Sequence, residues 1–333
     1  MGCKSCLAND IEGIYDLSKI NGLFRFYNKN GECYINSFLQ IILHNKILLE
    51  IINSIDKNND KMILINELLR LLNEAKTASI ILDPNNVKNI MISINEAYTN
   101  NGEDISNLIS DFINELSLEL PKNDKYKILF PEDEIAKNAL NKLIKRFYTN
   151  NYSEFTEIFY GNNMIEYTCK KGHLINVKFM AFITLDLSIY SFTSKEEISL
   201  KEIIDNKFQL KNTDKMKYCQ VCKEEILINE KDYIYNLPKI VILYFPRKFD
   251  DIYYNNKVKF FQNLDFNKYI KNPKKNHDIY HLFGIIQNNN GHFNSITINN
   301  IDNNWYLFDD ENQPLLVNKD LNKFNPIVLF YSK

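Results

Sequence analysis

Cys33 stands in the stretch "NKNGECYINSFLQ", between a polar glycine turn and an apolar run that reads as a helix. A thiolate attacks carbonyl carbon, and a helix N-terminus favours it through partial positive charge and unpaired N–H donors. The same placement also suits an inert buried thiol. Glu32, directly before it, would disfavour both a thiolate and a nearby oxyanion unless it points to solvent. A cysteine nucleophile needs a histidine to take its proton and a third group to orient the imidazole. Of the five histidines, His44 lies inside the apolar helix and reads as structural, while His277 and His281 sit in a lysine-rich polar stretch. His292 follows "NNNG" and begins a strand, at a loop edge from which an imidazole can reach a cleft. Further on, "NWYLFDD" ends in Asp309 and Asp310; a hairpin turning at Asp302 and Asn303 brings either acid near His292. A plain hairpin with a solvated acidic end has the same pattern.

A second group of reactive side chains is Cys169 and His173 in "CKKGH" with Cys219 and Cys222 in "CQVC". Two such pairs, each on a turn between strands, suit tetrahedral zinc, and a closed site of this kind clamps a small strand subdomain with a thin core. The alternative is a relic of the site that binds no metal.

The elements that must position these residues divide along the chain. "SFLQIILHNKILLEIIN", from Ser37 to Asn53, is apolar on nearly every side, as a helix buried in a core would be. "KMILINELLRLLNEA" and "EDISNLISDFINELSLEL" show helical spacing and stop at polar turns or Pro121. Beyond Asn150 come short runs rich in Ile, Val, Tyr and Phe, among them "KIVILYF", "IYHLFGIIQ", "HFNSITINN" and "PIVLFY". A helical part followed by a strand-rich part predicts an α+β architecture with a cleft. The chain of 333 residues is 45% apolar with a formal charge of −2, so it can bury a large core and gives no sign of a nucleic-acid partner. Its apolar runs are too short for a transmembrane segment and its start lacks a signal peptide's core, which predicts an intracellular protein with free thiols or metal ligands rather than disulfides. "MGCKSC" resembles an acylation signal at Gly2 with Cys3 or Cys6, but Cys6 stands where Ser or Thr is expected, and a plain N-terminal tail over 1–20 is the simpler reading.

These residues together resemble the ubiquitin-specific proteases, cysteine deubiquitinating enzymes with a papain-like triad. "CYINSFLQ" is close to the family's C-Y-x-N-S-x-L-Q box, and "LPKIVILYFPR" looks like its L-P-x-V-L-x-I-x-L-K-R strand. "GHF" with "NWYLFDD" is similar to its histidine box, "NPIVLFY" to its closing strand, and "FYGNNMIEYTC" with "CQVC" falls where the family has zinc-binding fingers. The resemblance runs from about Phe24 to Tyr331 and implies one catalytic domain over 21–333. That domain would have a helical thumb, a β-sheet palm and zinc-ribbon-like fingers within about 160–236. It implies Cys33 as nucleophile, His292 as general base, Asp309 as its orienting acid and Asn28 as the side-chain donor of the oxyanion hole. It also implies cleavage after the C-terminal glycine of ubiquitin, with Asp104 facing the basic ubiquitin tail. Catalysis would need no cofactor, with Cys169, His173, Cys219 and Cys222 holding structural zinc. The expected partners are ubiquitin and ubiquitinated proteins, met by a monomer in the cytoplasm or nucleus.

The departures are specific. The family's N-x-G-N-T-C is Asn28-Lys29-Asn30-Gly31-Glu32-Cys33 here, with the glycine displaced and a carboxylate for threonine. Asn107 and Leu108 replace a Glu and a Phe after Asp104, Phe293 replaces a tyrosine, and His173 substitutes for the second finger cysteine. Two alternatives to an active deubiquitinase therefore stand: a catalytically impaired ubiquitin-binding relative, and a protease for another ubiquitin-like modifier.

Overall fold

A computed structural model of the chain describes residues 22–54, 61–75, 80–99, 104–120, 128–149, 152–273, 279–318 and 320–333. The N-terminal tail with Gly2, Cys3 and Cys6, Pro121 and His277 lie outside them. Two compact units result, and the first draws on both ends of the chain, combining residues up to Glu119 with Phe283–Phe330.

Among the described residues, the α-helices of the first unit are α1 (Cys33–Leu43), α2 (Lys46–Ser54), α3 (Ile63–Glu74), α4 (Asn85–Ile94) and α5 (Ile105–Glu119). Every residue of α1 is buried, in keeping with its apolar sequence. The single helix expected from Ser37 to Asn53 is instead two, with a bend of 83° between α1 and α2. Asn45 causes the break: its side chain accepts the Leu48 N–H at 3.1 Å and so caps a new helix. His44, the last residue before it, is structural as expected, buried with Nδ1 2.7 Å from the Gln40 carbonyl and Nε2 2.9 Å from that of Gly22. Among the described residues no single helix is long and apolar enough to cross a membrane.

The unit's strands run in the order Leu315–Val317, Trp305–Phe308, His292–Ile298, Ile279–Asn289 (from Phe283 on) and Pro326–Ser332 (through Phe330). Asn289 pairs with His292 across Asn290 and Gly291, both at positive φ (54° and 90°), which is the tight hairpin that an Asn-Gly pair favours. Helix α1 lies on this sheet, with the Phe38 and Phe330 rings 6.2 Å apart. At Gly284 a Cβ would come within 2.6 Å of Ile41 Cδ1, so glycine permits the close approach. The Tyr34 hydroxyl donates to the Tyr98 carbonyl, and the Tyr98 hydroxyl donates to Asp111 on α5, tying α1 to the helical layer.

The second unit contains a four-stranded antiparallel sheet in the order Leu174–Phe182, Gly161–Cys169, Glu224–Asn236 and Lys211–Cys219. Leu140, Ile144 and Tyr148, from the helix Glu134–Leu143 and the turns after it, pack on Met164, Val177 and Phe179 of that sheet. "KIVILYF" contributes the buried strand Ile240–Tyr244, paired in parallel with Thr184–Asp186. The architecture is α+β.

Candidate active site and metal centre

Cys33 is the first residue of α1 and is buried, with Glu32 as the residue before the helix. The turn before it reverses at Gly31, whose φ of 76° is a conformation suited to glycine. His292 opens its strand directly after the Asn-Gly hairpin, and Asp309 follows the neighbouring strand Trp305–Phe308, which pairs with it antiparallel from Ser295↔Phe308 to Ile298↔Trp305. The turn between these strands is held by Asp302, whose carboxylate accepts the Asn304 N–H and the Tyr306 hydroxyl. Local turn chemistry thus aims the imidazole and the acid at each other.

The result is a charge-assisted contact of 2.5 Å between His292 Nε2 and Asp309 Oδ1. With Nε2 turned to Asp309, Nδ1 is the other ring nitrogen, and the Cys33 thiol is near enough to raise the imidazole's pKa. Asp309 first and Cys33 second favour the imidazolium, and with the nearby charge of Asp310 they outweigh burial, holding His292 up to about 10.

Asp310 is not a second copy of Asp309. Its side chain is 6% exposed and stands 3.7 Å from His292 Nε2. Asn28 Nδ2 donates to its Oδ2 at 2.6 Å and Asn36 Nδ2 to its Oδ1 at 2.8 Å. Burial pushes this carboxyl up, against those two amide donors, which pull it down. Asn28 in turn accepts the Glu32 backbone N–H through Oδ1 at 2.8 Å. One N–H of its side-chain amide is thereby committed to Asp310.

Glu32 does not point to solvent. It is 1% exposed, and its Oε1 lies 2.9 Å from Lys88 Nζ on α4 while its Oε2 accepts the Asn30 N–H at 2.7 Å. Burial alone would raise its pKa, but Asn30 and Lys88 prevail and hold it below the usual carboxylate range. The carboxylate next to Cys33 is therefore neutralised within the turn. Sequence reasoning missed Lys88, since nothing local connects it to a residue 56 positions earlier; Asn36 was quoted as part of a motif but not recognised as a support for Asp310.

Asp104 is exposed and directly precedes α5, its Oδ1 accepting the Ser106 N–H at 2.8 Å and its carbonyl the Asn107 and Leu108 N–H groups. It is a helix cap that leaves its carboxylate at the surface. His281 is exposed too, its ring bonded to Asn263 at 2.8 Å.

In the second unit the turns at the ends of two strand pairs bring Cys169, His173, Cys219 and Cys222 together, with all four ligand atoms within 4.8 Å of one another. His173 Nδ1 lies 3.5 Å from Cys169 Sγ, 3.8 Å from Cys219 Sγ and 3.3 Å from Cys222 Sγ, and the sulfurs of Cys169 and Cys222 are 4.0 Å apart. A tetrahedron with metal–sulfur bonds of about 2.3 Å has edges of about 3.8 Å, so the set fits zinc in size and in ligand type. The turns are preshaped, with the Cys169 N–H bonded to the His173 carbonyl and the Lys223 N–H to that of Cys219.

A family model described as ubiquitin carboxyl-terminal hydrolase matches residues 24–331. Ubiquitin carboxyl-terminal hydrolase 9 of Arabidopsis thaliana is 30% identical over 129 residues, 36% of this chain and 14% of that protein. Ubiquitin carboxyl-terminal hydrolase 4 of Bos taurus is 26% identical over 125 residues, covering 35% of this chain and 13% of its own. A probable ubiquitin carboxyl-terminal hydrolase of Acanthamoeba polyphaga mimivirus is 23% identical over 65% of this chain and 49% of that protein. The matches thus span less than half the length of these relatives. Among solved structures, the SAGA Ubp8/Sgf11/Sus1/Sgf73 DUB module bound to ubiquitin aldehyde aligns with a TM-score of 0.72 at 18% identity, over 95% of this chain and 70% of the other. The Ubp8 module bound to monoubiquitin gives 0.72 at 16% identity, over 96% and 71%. The fold is that of these modules, and because the family model extends across the boxes around both Cys33 and His292, the chain belongs to the ubiquitin carboxyl-terminal hydrolase family.

Proposed function

We propose that this chain is a thiol-dependent deubiquitinase that hydrolyses the isopeptide or peptide bond after the C-terminal glycine of ubiquitin. The observation that carries the reading is the 2.5 Å contact between His292 and Asp309, with the thiol at the start of α1 among the groups that raise the same imidazole's pKa. In the first step Cys33 Sγ attacks the glycine carbonyl carbon, its proton residing on His292. The developing oxyanion takes hydrogen bonds from the second N–H of the Asn28 amide and from the Cys33 backbone N–H, which has no partner within its helix. The intermediate collapses to a thioester as His292 passes its proton to the leaving amine, and His292 then activates the water that releases ubiquitin. Asp309 orients the ring, Asp310 holds Asn28, and Asp104 offers charge to the basic ubiquitin tail.

Cys169, His173, Cys219 and Cys222 would hold zinc as a closed structural site. The ion would cross-link the two turns and take no part in bond cleavage. The pairing of Glu32 with Lys88 supports an active enzyme over a catalytically impaired binder. The test is reaction with ubiquitin carrying a C-terminal electrophile: a covalent adduct is expected with the native chain and none with Cys33→Ala. A native chain that binds ubiquitin without forming the adduct would overturn the enzyme reading. A stronger reaction with a ubiquitin-like modifier lacking the basic tail would redirect the specificity.

A further inference from the structure

The turn before the nucleophile carries a buried ion pair, and buried pairs recover their desolvation cost poorly, so stability alone is a weak reason for one to be there. Glu32 is 1% exposed at its side chain and Lys88 11%. Together they grip the backbone of one residue on both of its peptide units: Lys88 Nζ donates to the Asn30 carbonyl at 2.9 Å, and Glu32 Oε2 accepts the Asn30 N–H at 2.7 Å. The Glu32 backbone N–H then donates to Asn28 Oδ1 at 2.8 Å, which turns the Asn28 amide so that Nδ2 faces Asp310 at 2.6 Å. The turn is otherwise short and polar, with a left-handed glycine at Gly31 and with Lys29 and Asn30 exposed.

We propose that Lys88 is a positioning residue for the oxyanion turn, acting through Glu32 and Asn30 to fix the Asn28 amide beside Cys33. The inference rests on the hydrolase reading above and names what in this chain sets its oxyanion donor. Glu32 carries out the same task from within the turn, its side chain gripping Asn30 and its backbone gripping Asn28. Without Lys88 the carboxylate is left buried and unmatched, so it must take up a proton or swing out, and either event releases Asn30. Transition-state stabilisation then falls while ubiquitin binding, which is made elsewhere, persists.

The experiment compares the full chain with Lys88→Met, Lys88→Gln and the double variant Lys88→Met with Glu32→Gln. It reads steady-state cleavage of a fluorogenic ubiquitin C-terminal amide and backbone hydrogen exchange over 28–33. Lys88→Met is expected to lower kcat at least about tenfold with KM within about twofold. It should also speed exchange at Asn30 and Glu32 about tenfold or more while leaving α5 unchanged. Because the double variant removes both charges, it should recover part of that kcat loss, as coupled partners do. Lys88→Gln, a gentler change should Lys88→Met fail to fold, must lower kcat in the same direction by at least about threefold. Native kcat in the Lys88 variants, or unaltered exchange over the turn, overturns the inference. A native chain that neither cleaves ubiquitin nor forms the Cys33 adduct sinks the hydrolase reading instead, and turn exchange then decides the role of Lys88 by itself.

Discussion

His292 Nε2 lies 2.5 Å from Oδ1 of Asp309 and 3.7 Å from Oδ2 of Asp310, so two neighbouring acids take unlike positions around one imidazole. Asp309 is one-third exposed and directed at the ring, whereas Asp310 is buried and bound by the amides of Asn28 and Asn36. The difference separates their expected effects on catalysis.

Cys33→Ala and His292→Ala are expected to abolish cleavage of ubiquitin conjugates, while Asp309→Ala leaves a remainder, with kcat down by about 100- to 10,000-fold. Steady-state kinetics on one ubiquitin substrate checks this. Native rates in Asp309→Ala alongside a large loss in Asp310→Ala would assign the orienting role to the other acid.

Asp310→Ala strands two amide donors, one of them on fully buried Asn36, and should cost about 1–3 kcal/mol of stability as well as activity. Urea denaturation reads the first and kcat the second. A stability loss with kcat intact would detach Asn28 from the oxyanion.

Because the folded protein holds His292 up to about 10, the imidazolium is favoured relative to the unfolded chain. Its contribution to stability is fully present below about 6.5, the ordinary imidazole value, and is lost as pH rises through about 10. The alkaline limb of kcat/KM should follow the same group, and Asp309→Ala, which removes the largest cause of the shift, should move that limb to lower pH. An alkaline limb unchanged in the variant would contradict it.

Purified protein is expected to carry near one equivalent of zinc, falling in Cys219→Ser, as measured by metal analysis. Chelation should then make the strands Gly161–Cys169 and Glu224–Asn236 more sensitive to protease, since both end at ligand turns. Absence of zinc from native protein would mean that this sheet folds without it.

Asp104 serves as a cap and could also serve as a charge, and Asp104→Asn separates the two. Asparagine caps as well as aspartate, so thermal stability should hold while KM for ubiquitin rises several-fold if the carboxylate meets the basic tail. Unchanged KM would leave Asp104 as a cap only.

Much of the site was legible because its signals are local. "NNNG" before His292 marks the start of a strand, and the motif after Cys33 reads as a buried helix; both formed where expected. The four zinc-type ligands were readable for the same reason, since each pair sits within one turn. The helix break at Asn45 was lost in an apolar run whose hydrophobicity continues on both sides of it. Glu32 was the plainest oddity in the sequence, but its meaning depended on a lysine brought in by tertiary packing, and no spacing rule reports such a partner. Asp309 and Asp310 could not be told apart until their different hydrogen bonds were known.

The first unit joins residues up to Glu119 to Phe283–Phe330, and so places Cys33 and His292 on segments that a ribosome makes far apart in time. The thiol precedes the long segment Leu120–Leu282 of the second unit, while the base and both acids follow it. A chain extending only to Leu282 therefore holds the thiol without its base or either acid, and the site is complete only when the strand that His292 opens has paired with Trp305–Phe308. Joining segments so far apart in sequence is slow by contact order, so the pairing that completes the site is a slow step of folding.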